Sequence, residues 1–377
     1  MSTLSALPTP AAVIDVPRMQ HNIERMQSRM NTLGVRFRPH VKTAKSVDVA
    51  RAQLAAGACG ITVSTLKEAE QFLAAGVRDI LYAVGMVPAK LPQVLALCQR
   101  GADIKIVADS VQSALAIARF GSENAHRFEV WIEIDSDAHR SGVRADDPAL
   151  VEIGRTLAGG GMGLGGVMTH AGSSYDLDTP DALRAMAEQE RSACVLAAQR
   201  LRAAGLPCPV VSVGSTPTAL SAEHLDGVTE VRAGVYVFFD LVMLNVGVCA
   251  PQELALSVLA TVIGHQHEKG WAIVDAGWMA MSRDRGTQKQ RRDFHYGQVC
   301  TADGQPLEGY AMLSANQEHG ILGREGSVDG AIAERLPLGT VVRILPNHAC
   351  ATGAQFPTYH ALAADGSIQA WPRFYGW

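Results

Sequence analysis

The sequence lacks several features that mark special classes of protein. Its 377 residues contain no uninterrupted apolar run close to the roughly 20 residues that a membrane-spanning helix needs. There is no CxxC pair, and the seven cysteines are dispersed and odd in number, which favours reduced thiols over a disulfide framework. Lysine and arginine are scattered, and the net charge of −4 gives no electrostatic basis for binding nucleic acid or an anionic membrane.

Two further absences concern targeting and nucleotide binding. The opening MSTLSALPTP has none of the charged-then-apolar layout of a secretory signal, so we expect a cytoplasmic protein. No GxGxxG motif follows the first predicted strand, which disfavours a dinucleotide-binding domain. The hydrophobic content of 47% against 19% charged residues instead predicts a globular protein with a large core.

The order of predicted elements indicates an α/β barrel followed by a β-rich domain. From AAVID (11–15) onward, short β-branched runs alternate with amphipathic helical stretches, giving about eight parallel strand–helix units, as in a TIM-type (β/α)8 barrel. From about residue 255 the segments become short, alternating and rich in turns, which is typical of antiparallel β structure. We therefore predict a barrel over residues 9–248 and a β domain over 249–377.

Polar residues that follow barrel strands are the candidates for chemistry, because barrel active sites form at the carboxyl ends of the strands. RPHVKTAKS (38–46) places His40 and Lys42 at such an end. A lysine that loses hydration there has a lowered pKa and can bind an aldehyde covalently. An ordinary surface lysine remains the alternative for this segment taken alone.

Two other strand ends carry an arginine and an imidazole. Arg140, in EIDSDAHRSGV (133–143), could fix an anionic oxygen, or could simply pair with Asp135 or Asp137. MTHAGSSY (168–175) offers His170 and Tyr175 directly after an apolar strand, although His170 could also be an ordinary buried imidazole. Both segments thus keep a structural explanation beside the functional one.

Two loops of small residues follow the last predicted strands of the barrel. They are SVGSTPT (212–218) and VRAGVYVF (231–238). Glycine, serine and threonine let backbone N–H groups and hydroxyls surround a phosphate, as late barrel loops often do. Either loop alone could be a plain turn, but two in succession indicate a phosphate site.

The segment ILPNHACATGAQF (344–356) carries an imidazole and a thiol two residues apart, His348 and Cys350. If the segment is extended, both side chains project to the same side. A nitrogen and sulfur pair suits zinc or another divalent ion, and two protein ligands leave positions open for water and substrate. The alternative is a buried histidine and a free cysteine beside a turn.

Taken in order, RPHVKT, HRSGV, THAGSSY, GSTPT, VRAGVY, NQEHG and PNHACAT resemble the fold-type III pyridoxal-phosphate enzymes. Within them, the chain resembles the branch of the D-threonine aldolases, D-serine dehydratases and 3-hydroxyaspartate dehydratases, with the strongest likeness to the last. The likeness runs from about Thr9 to the end of the sequence. It implies a barrel with an antiparallel β domain, usually assembled as a homodimer.

The resemblance also implies roles for particular residues. Lys42 would bind the cofactor covalently, Arg140 would approach its phenolic oxygen, and Arg232 would face its pyridine nitrogen. The ring would be lined by His170 and Tyr175. The phosphate would be held by Gly214, Ser215, Thr216, Gly234 and Val235. A divalent metal, zinc, manganese or magnesium, would bind His348 and Cys350.

The expected reaction follows from the same resemblance. We expect dehydration of a D-3-hydroxy amino acid, with 3-hydroxyaspartate, which would give oxaloacetate and ammonia, preferred over D-serine. Aldol cleavage to glycine and an aldehyde is the main alternative, but bacterial D-threonine aldolases often carry an aspartate where Cys350 stands. An alanine-racemase-like enzyme would share the barrel but would need a second base and no metal. A non-catalytic pyridoxal-binding protein would lack the β domain with PNHAC. A metal-only hydrolase would need more histidine and aspartate ligands at strand ends than this chain shows.

Overall fold

A computed structural model of the chain describes residues 4–377, which form eighteen strands and twelve α-helices. The strands are β1 (Ala11–Asp15), β2 (Arg36–Pro39), β3 (Ile61–Val63), β4 (Asp79–Gly85), β5 (Asp103–Ala108), β6 (Glu129–Asp135), β7 (Val143–Arg144), β8 (Gly163–Thr169), β9 (Val210–Val213), β10 (Glu230–Ala233), β11 (Leu256–Gln266), β12 (Trp271–Val274), β13 (Gln298–Cys300), β14 (Pro306–Ala315), β15 (Gly320–Arg324), β16 (Val341–Leu345), β17 (Thr358–Leu362) and β18 (Ile368–Pro372). The α-helices are α1 (Val16–Thr32), α2 (Val47–Ala55), α3 (Leu66–Ala74), α4 (Leu91–Gln99), α5 (Val111–Glu123), α6 (Ala149–Gly159), α7 (Pro180–Ala203), α8 (Thr216–Ser221), α9 (Leu241–Val246), α10 (Trp278–Met281), α11 (Ile332–Arg335) and α12 (Ala349–Gly353). None of the helices within residues 4–377 combines the length and the apolarity needed to cross a bilayer.

The chain packs into two compact units. One, the barrel unit, comprises Glu24–Gly234 and Phe374–Trp377. The other, the β unit, comprises the described residues up to Ile23 and Val235–Arg373. Packing therefore divides the chain differently from the single cut after Val248 that the sequence predicts.

The barrel unit is built on eight parallel strands in the order β2-β10-β9-β8-β6-β5-β4-β3, with the short β7 paired to β6. The circle closes between β2 and β3, where His40 and Thr62 form a parallel bridge and the Val41 N–H donates to the Thr62 carbonyl at 3.0 Å. Because all eight strands run in one direction, the segments that follow them gather at one end of the barrel.

Local sequence explains why strands and helices alternate here. The strands carry buried apolar side chains, and Leu81, Val107, Trp131 and Met168 from four neighbouring strands form one buried cluster. Four of the helices, α3, α5, α7 and α8, begin at a serine or threonine whose hydroxyl accepts a free N–H group, as where Thr179 accepts the Ala182 N–H at the start of α7. The buried cluster fixes the strands, and the capped helices follow them at the carboxyl end of the barrel.

The β unit holds a nine-stranded sheet in the order β12-β15-β14-β13-β16-β11-β1-β17-β18, and β12 also pairs with β11. That pairing closes six strands on themselves, which removes exposed sheet edges. The pairing is antiparallel except between β1 and β17. The sequence places β1 first in the barrel, and this is wrong. Its register with β11 and β17 buries Ala12, Val13 and Ile14 in the β unit instead.

Candidate active site

The turn after β2 carries Lys42 at the carboxyl end of the barrel. Val41 is buried, whereas the Lys42 side chain is exposed in this turn. The positive charge of Lys42 lowers the pKa of both His40 and His170, so its ammonium group lies near both rings. Burial is the largest cause of both shifts, holding the pKa of His40 well below its usual value.

His170 follows β8 and lies against Tyr175, with ring centroids 6.1 Å apart and planes inclined by 48°. Its Nδ1 is 3.0 Å from the Gly214 carbonyl oxygen, so Nδ1–H donates and Nε2 carries the lone pair. Burial, together with the charges of Lys42, Arg232 and Arg140, lowers the pKa of His170 to about 3. The imidazole is therefore neutral throughout the physiological pH range.

The loop after β9 is shaped by its small residues. Gly214 has a φ of +132°, and a Cβ there would collide with the carbonyl oxygen of Arg232. Ser215 caps α8, its hydroxyl accepting the Thr218 N–H at 3.2 Å and lying 2.8 Å from the Ser174 hydroxyl. Thr216 is the buried first residue of α8. Of these three positions, only 214 requires glycine.

The loop after β10 approaches the lysine turn closely. A Cβ on Gly234 would lie 3.1 Å from the His40 carbonyl oxygen and 3.2 Å from the Thr43 hydroxyl. The missing side chain leaves a small space beside the backbone at the carboxyl ends of β2 and β10. Val235 comes next in the chain, is buried, and begins the 3₁₀ helix Val235–Val237.

Arg232 points into the barrel from β10 and is only 3% exposed. Its Nε donates to the Ser212 hydroxyl at 2.9 Å, and a second nitrogen donates to the Thr169 carbonyl oxygen. The Ser212 hydroxyl donates in turn to the fully buried Glu230, which also binds Arg38 at 3.0 Å. Burial lowers the pKa of Arg232, and Glu230 opposes that shift. Glu230 therefore compensates a buried cation beside the barrel end.

Arg140 follows β6 and is exposed. Among residues 4–377, Arg140 forms no ion pair with Asp135 or Asp137, which was the structural alternative. Those carboxylates accept the backbone N–H groups of Ala138 and Ser173 instead. Its charge instead acts on the buried Glu133, whose pKa is raised by burial and partly restored by Arg140. Arg140 thus keeps its guanidinium available to an anionic oxygen.

Glu190, on α7, is a site residue that the sequence analysis missed. It is buried, and its carboxylate accepts the Ala171 N–H at 2.8 Å. Burial raises its pKa, while bonds from the Thr218 hydroxyl and the Gly214 N–H lower it. One carboxylate therefore joins the loop after β8 to the loop after β9. Its place inside a long amphipathic helix gives no sequence signal beyond a glutamate on the apolar face.

His348 and Cys350 lie in the β unit, directly after β16. The predicted pairing assumes an extended segment, but the structure has a helix there. Ala349–Gly353 forms α12, with His348 as its N-cap. The two side chains nevertheless meet, and the Cys350 sulfur is a hydrogen-bond partner of the imidazole that raises its pKa. Helix capping, rather than strand alternation, brings the pair together.

Two carboxylates surround this pair. Asp284 Oδ2 lies 2.6 Å from His348 Nδ1. Asp240, which is buried, accepts the N–H of Ala349, the residue between His348 and Cys350, at 2.9 Å. Burial lowers the pKa of His348, but Cys350, Asp284 and Asp240 outweigh it and raise that pKa to about 11. The cluster is a strongly cation-attracting position.

Both clusters fit the groups that their chemistry suggests. In the barrel unit, Nδ1 of His40 is buried without a hydrogen-bond partner among residues 4–377, beside a lysine and two glycine cradles. A phosphorylated aldehyde cofactor would use these features. In the β unit, His348 and Cys350 would supply a nitrogen and a sulfur ligand to a divalent metal, and two protein ligands would leave its other positions open.

Comparison with known proteins bears on the same residues. Residues 14–242 match the alanine racemase N-terminal domain, and residues 255–362 match a putative serine dehydratase domain. The chain is 71% identical over 377 residues to the D-threo-3-hydroxyaspartate dehydratase of Delftia sp. (strain HT23), covering 100% of this chain and 99% of that protein. The chain belongs to the D-serine dehydratase and D-threonine aldolase family of fold-type III pyridoxal-phosphate enzymes.

Solved structures support the family's fold and its metal. A cysteine-to-alanine variant of D-threo-3-hydroxyaspartate dehydratase, described as metal-free, superposes with a TM-score of 0.99 at 70% identity over the whole of both chains. The D-threonine aldolase of Filomicrobium marinum gives a TM-score of 0.84 at 26% identity, covering 98% and 96% of the two chains. The predicted family, fold class, pyridoxal-phosphate and divalent-metal cofactors, and lyase class are thereby confirmed.

Proposed function

We propose that this member of the family dehydrates D-threo-3-hydroxyaspartate to oxaloacetate and ammonia. The observation that carries the proposal is full-length likeness, 71% identity, to a dehydratase of that substrate, in a chain whose His348 and Cys350 side chains meet. A histidine and a cysteine two positions apart are also the residues replaced in two solved variants of that dehydratase.

The cofactor-binding roles belong to the barrel unit and the residue that follows it. Lys42 would hold pyridoxal phosphate covalently, Arg140 would bind its phenolic oxygen, and Arg232 would face its pyridine nitrogen. His170 and Tyr175 line the ring. The phosphate is held by Gly214, Ser215, Thr216, Gly234 and Val235. The support is their position at one end of a parallel barrel, the steric demand for glycine at 214 and the tight approach of Gly234 to the lysine turn.

Lys42 has a second role in this proposal. Its ε-amine would also act as a general base and remove the proton from Cα of the substrate. Pyridoxal phosphate, when bound, supplies the electron sink for the pair left at Cα. His170, neutral at physiological pH, and Arg232, held by Ser212, keep the polar surroundings of the ring fixed.

His348 and Cys350 provide the second part of the chemistry. They would hold a divalent metal, and that metal would supply Lewis acidity for the departure of the 3-hydroxyl group. Loss of water across Cα and Cβ gives an enamine, and hydrolysis of the enamine releases ammonia and oxaloacetate. Asp240 fixes the backbone between the two ligands by accepting the Ala349 N–H. Both proposed ligands thus lie at the start of α12, within three consecutive residues.

Product analysis of the pure enzyme tests the proposal. The enzyme is supplied with pyridoxal phosphate and Zn²⁺ or Mn²⁺, and is given D-threo-3-hydroxyaspartate, D-serine and D-threonine in separate reactions. We expect oxaloacetate and ammonia in equal amounts from the first, with a higher kcat/KM than pyruvate formation from D-serine. Enzyme stripped with a chelator should lose this activity and regain it with the metal.

The D-threonine aldolase structure makes aldol cleavage the second candidate. Glycine with glyoxylate from hydroxyaspartate, or glycine with acetaldehyde from D-threonine, would establish that reaction instead. Both reactions need Lys42 and the metal pair, so only the products separate them.

We also propose that the enzyme works as a homodimer in the cytoplasm. The support is the usual assembly of the family and the seven cysteines, all of which are free thiols. Light scattering during size-exclusion chromatography should give twice the chain mass of 40.1 kDa. A monomeric mass with full activity would contradict the dimer.

A further inference from the structure

We propose that Asp284 is a positioning residue for the metal. It fixes the proton of His348 on Nδ1 and so leaves Nε2 as the nitrogen that binds the ion. The proposal rests on the proposed metal-binding role of His348 and Cys350. It concerns a carboxylate 64 residues away in sequence, which no motif marks.

The contact itself is short and specific. Oδ2 of Asp284 lies 2.6 Å from Nδ1 of His348. Because a carboxylate only accepts hydrogen bonds, Nδ1 must carry the hydrogen in this pair. In a neutral imidazole the lone pair then belongs to Nε2. Metal-binding histidines commonly donate their other ring N–H to a carboxylate in this way, which orients the ring and raises its basicity.

The segment that carries Asp284 is anchored to the metal turn. The Thr352 hydroxyl of α12 donates to the Met281 carbonyl oxygen at 2.7 Å. Ser282 then adopts a φ of +70°, unusual for a residue with a side chain, and its hydroxyl accepts the Asp284 N–H at 3.0 Å. The Gly286 N–H also binds the Asp284 carboxylate. Contacts within the β unit thus hold Asp284 in place.

The neighbouring anions have other tasks. Asp240 accepts the backbone N–H groups of Ala349 and Met243, so it fixes the chain and not the ring. Cys350 is the proposed second ligand. Asp284 is therefore the carboxylate that orients the imidazole.

An incidental surface ion pair would behave differently. Both side chains are about 40% exposed, and exposed pairs contribute little to stability. If Asp284 were only such a partner, its removal would leave metal affinity unchanged. A positioning role predicts weaker metal binding with normal cofactor binding.

The test compares Asp284→Ala and Asp284→Asn with Asp293→Ala. Asp293 is a matched control, because it is similarly exposed and binds Arg285 at 2.6 Å in the same unit. Holoenzyme is depleted of metal and titrated with Zn²⁺ against a chromophoric chelator. We expect Asp284→Ala to raise the Kd for Zn²⁺ by about 10- to 100-fold. Asp284→Asn should raise it less, because the amide oxygen still accepts the Nδ1–H bond. Asp293→Ala should stay within about twofold of wild type.

The other readouts keep the result interpretable. Visible absorbance of the cofactor should be unchanged in all three variants, and saturating Zn²⁺ should restore most of the turnover of Asp284→Ala. If Asp284→Ala does not fold, a wild-type Kd in both Asp284→Asn and Asp284→Ser overturns the inference. An unchanged Kd in folded Asp284→Ala also overturns it. Wild-type enzyme that binds no Zn²⁺ would instead overturn the metal role in the proposed function.

Discussion

The barrel unit and the β unit treat histidine in opposite ways. In the barrel unit, burial and the nearby cations lower the pKa of His40 and His170, the latter to about 3. In the β unit, a thiol and two carboxylates outweigh partial desolvation and raise the pKa of the half-exposed His348 to about 11. The first environment keeps imidazoles neutral, and the second attracts a cation to the ring.

This contrast shows how each unit suits its cofactor. A phosphorylated anion suits the barrel unit, which offers tight glycine loops and three cationic side chains near neutral rings. The cations are Lys42, Arg140 and Arg232. The anionic surroundings of His348 suit a divalent metal that replaces the proton. Because each set of charges lies within one unit, the two cofactors should be separable by mutation.

Lys42→Ala should have the largest effect. We expect loss of the visible absorbance of bound cofactor and a fall in kcat/KM of at least about 1,000-fold, because covalent binding and the general base are both removed. The Kd for Zn²⁺ should not change. Spectroscopy and chelator competition on the same sample would measure both effects.

Lys45→Ala serves as the control for that variant. Lys45 lies in the same turn but pairs with Glu68 at 3.0 Å, so its absorbance spectrum should match wild type. Retained cofactor absorbance in Lys42→Ala would remove Lys42 from the proposed site. Joint loss of metal would show that the two cofactors are not separable.

Cys350→Ala is the reverse experiment. Loss of a direct ligand should weaken Zn²⁺ binding by more than about 100-fold, since loss of an outer partner alone costs 10- to 100-fold. Turnover should fall in parallel while cofactor absorbance remains. Cys249→Ala, at a partly exposed cysteine of the same unit, should change neither quantity. An active, metal-free Cys350→Ala enzyme would argue against Lewis-acid assistance.

Much of the fold was predictable, because strand and helix periods are local properties of the sequence. The alternation in segments such as DIKIVAD (103–109) indicates β5 correctly. The placement of β1 was not predictable in the same way. AAVID has the pattern of any buried strand, and only its pairing with β11 and β17, more than 240 residues later in the chain, assigns it to the β unit.

The candidate site residues also differ in whether local sequence or long-range contacts identify them. Short motifs at strand ends, such as those of Lys42, His170 and Gly214, can be proposed from sequence because barrel topology brings strand ends together. Glu190 and Asp284 carry no local signal, since each acts through a bond to a distant segment. The geometry of His348 and Cys350 was also missed, because an N-cap turn and an extended strand both allow a spacing of two.

Acid sensitivity tests the neutral imidazole of the barrel unit. The pKa of His170 is about 3 in the folded protein, against about 6.5 in an unfolded chain. Above pH 6.5 both states are neutral, so His170 has no effect on stability. As the pH falls below 6.5, the unfolded chain takes up a proton that the folded protein does not, and stability is lost. At pH 5.0 this loss is about 2 kcal/mol.

His170→Gln should therefore reduce the difference in unfolding free energy between pH 7.5 and pH 5.0 by about 2 kcal/mol. Urea unfolding of cofactor-free enzyme at the two pH values provides the measurement. His267→Gln, at an exposed histidine, should leave the difference at its wild-type size. An undiminished difference in His170→Gln would mean that this imidazole is not kept neutral by the fold.

The smallest expected effect concerns a contact that only the barrel unit has. The Phe374 N–H donates to the Lys45 carbonyl oxygen at 3.0 Å, and its ring packs edge-on against Phe72 with centroids 5.0 Å apart. This contact steadies the turn that carries Lys42. Phe374→Ala removes the ring contact, worth about 0.5–1.5 kcal/mol. Phe374→Pro also removes the N–H donor, worth a similar amount.

We expect the Kd for pyridoxal phosphate to rise several-fold in Phe374→Ala and further in Phe374→Pro, with an unchanged Kd for Zn²⁺ in both. Fluorescence titration of cofactor-free enzyme gives the first constant, and chelator competition gives the second. The graded response follows from the two contacts, because the alanine variant keeps the bond to Lys45 that the proline variant loses. Equal weakening of both cofactors would mean that this contact stabilises the chain in general and not the lysine turn. Such a result would show that the affinities for the two cofactors do not change independently at this position.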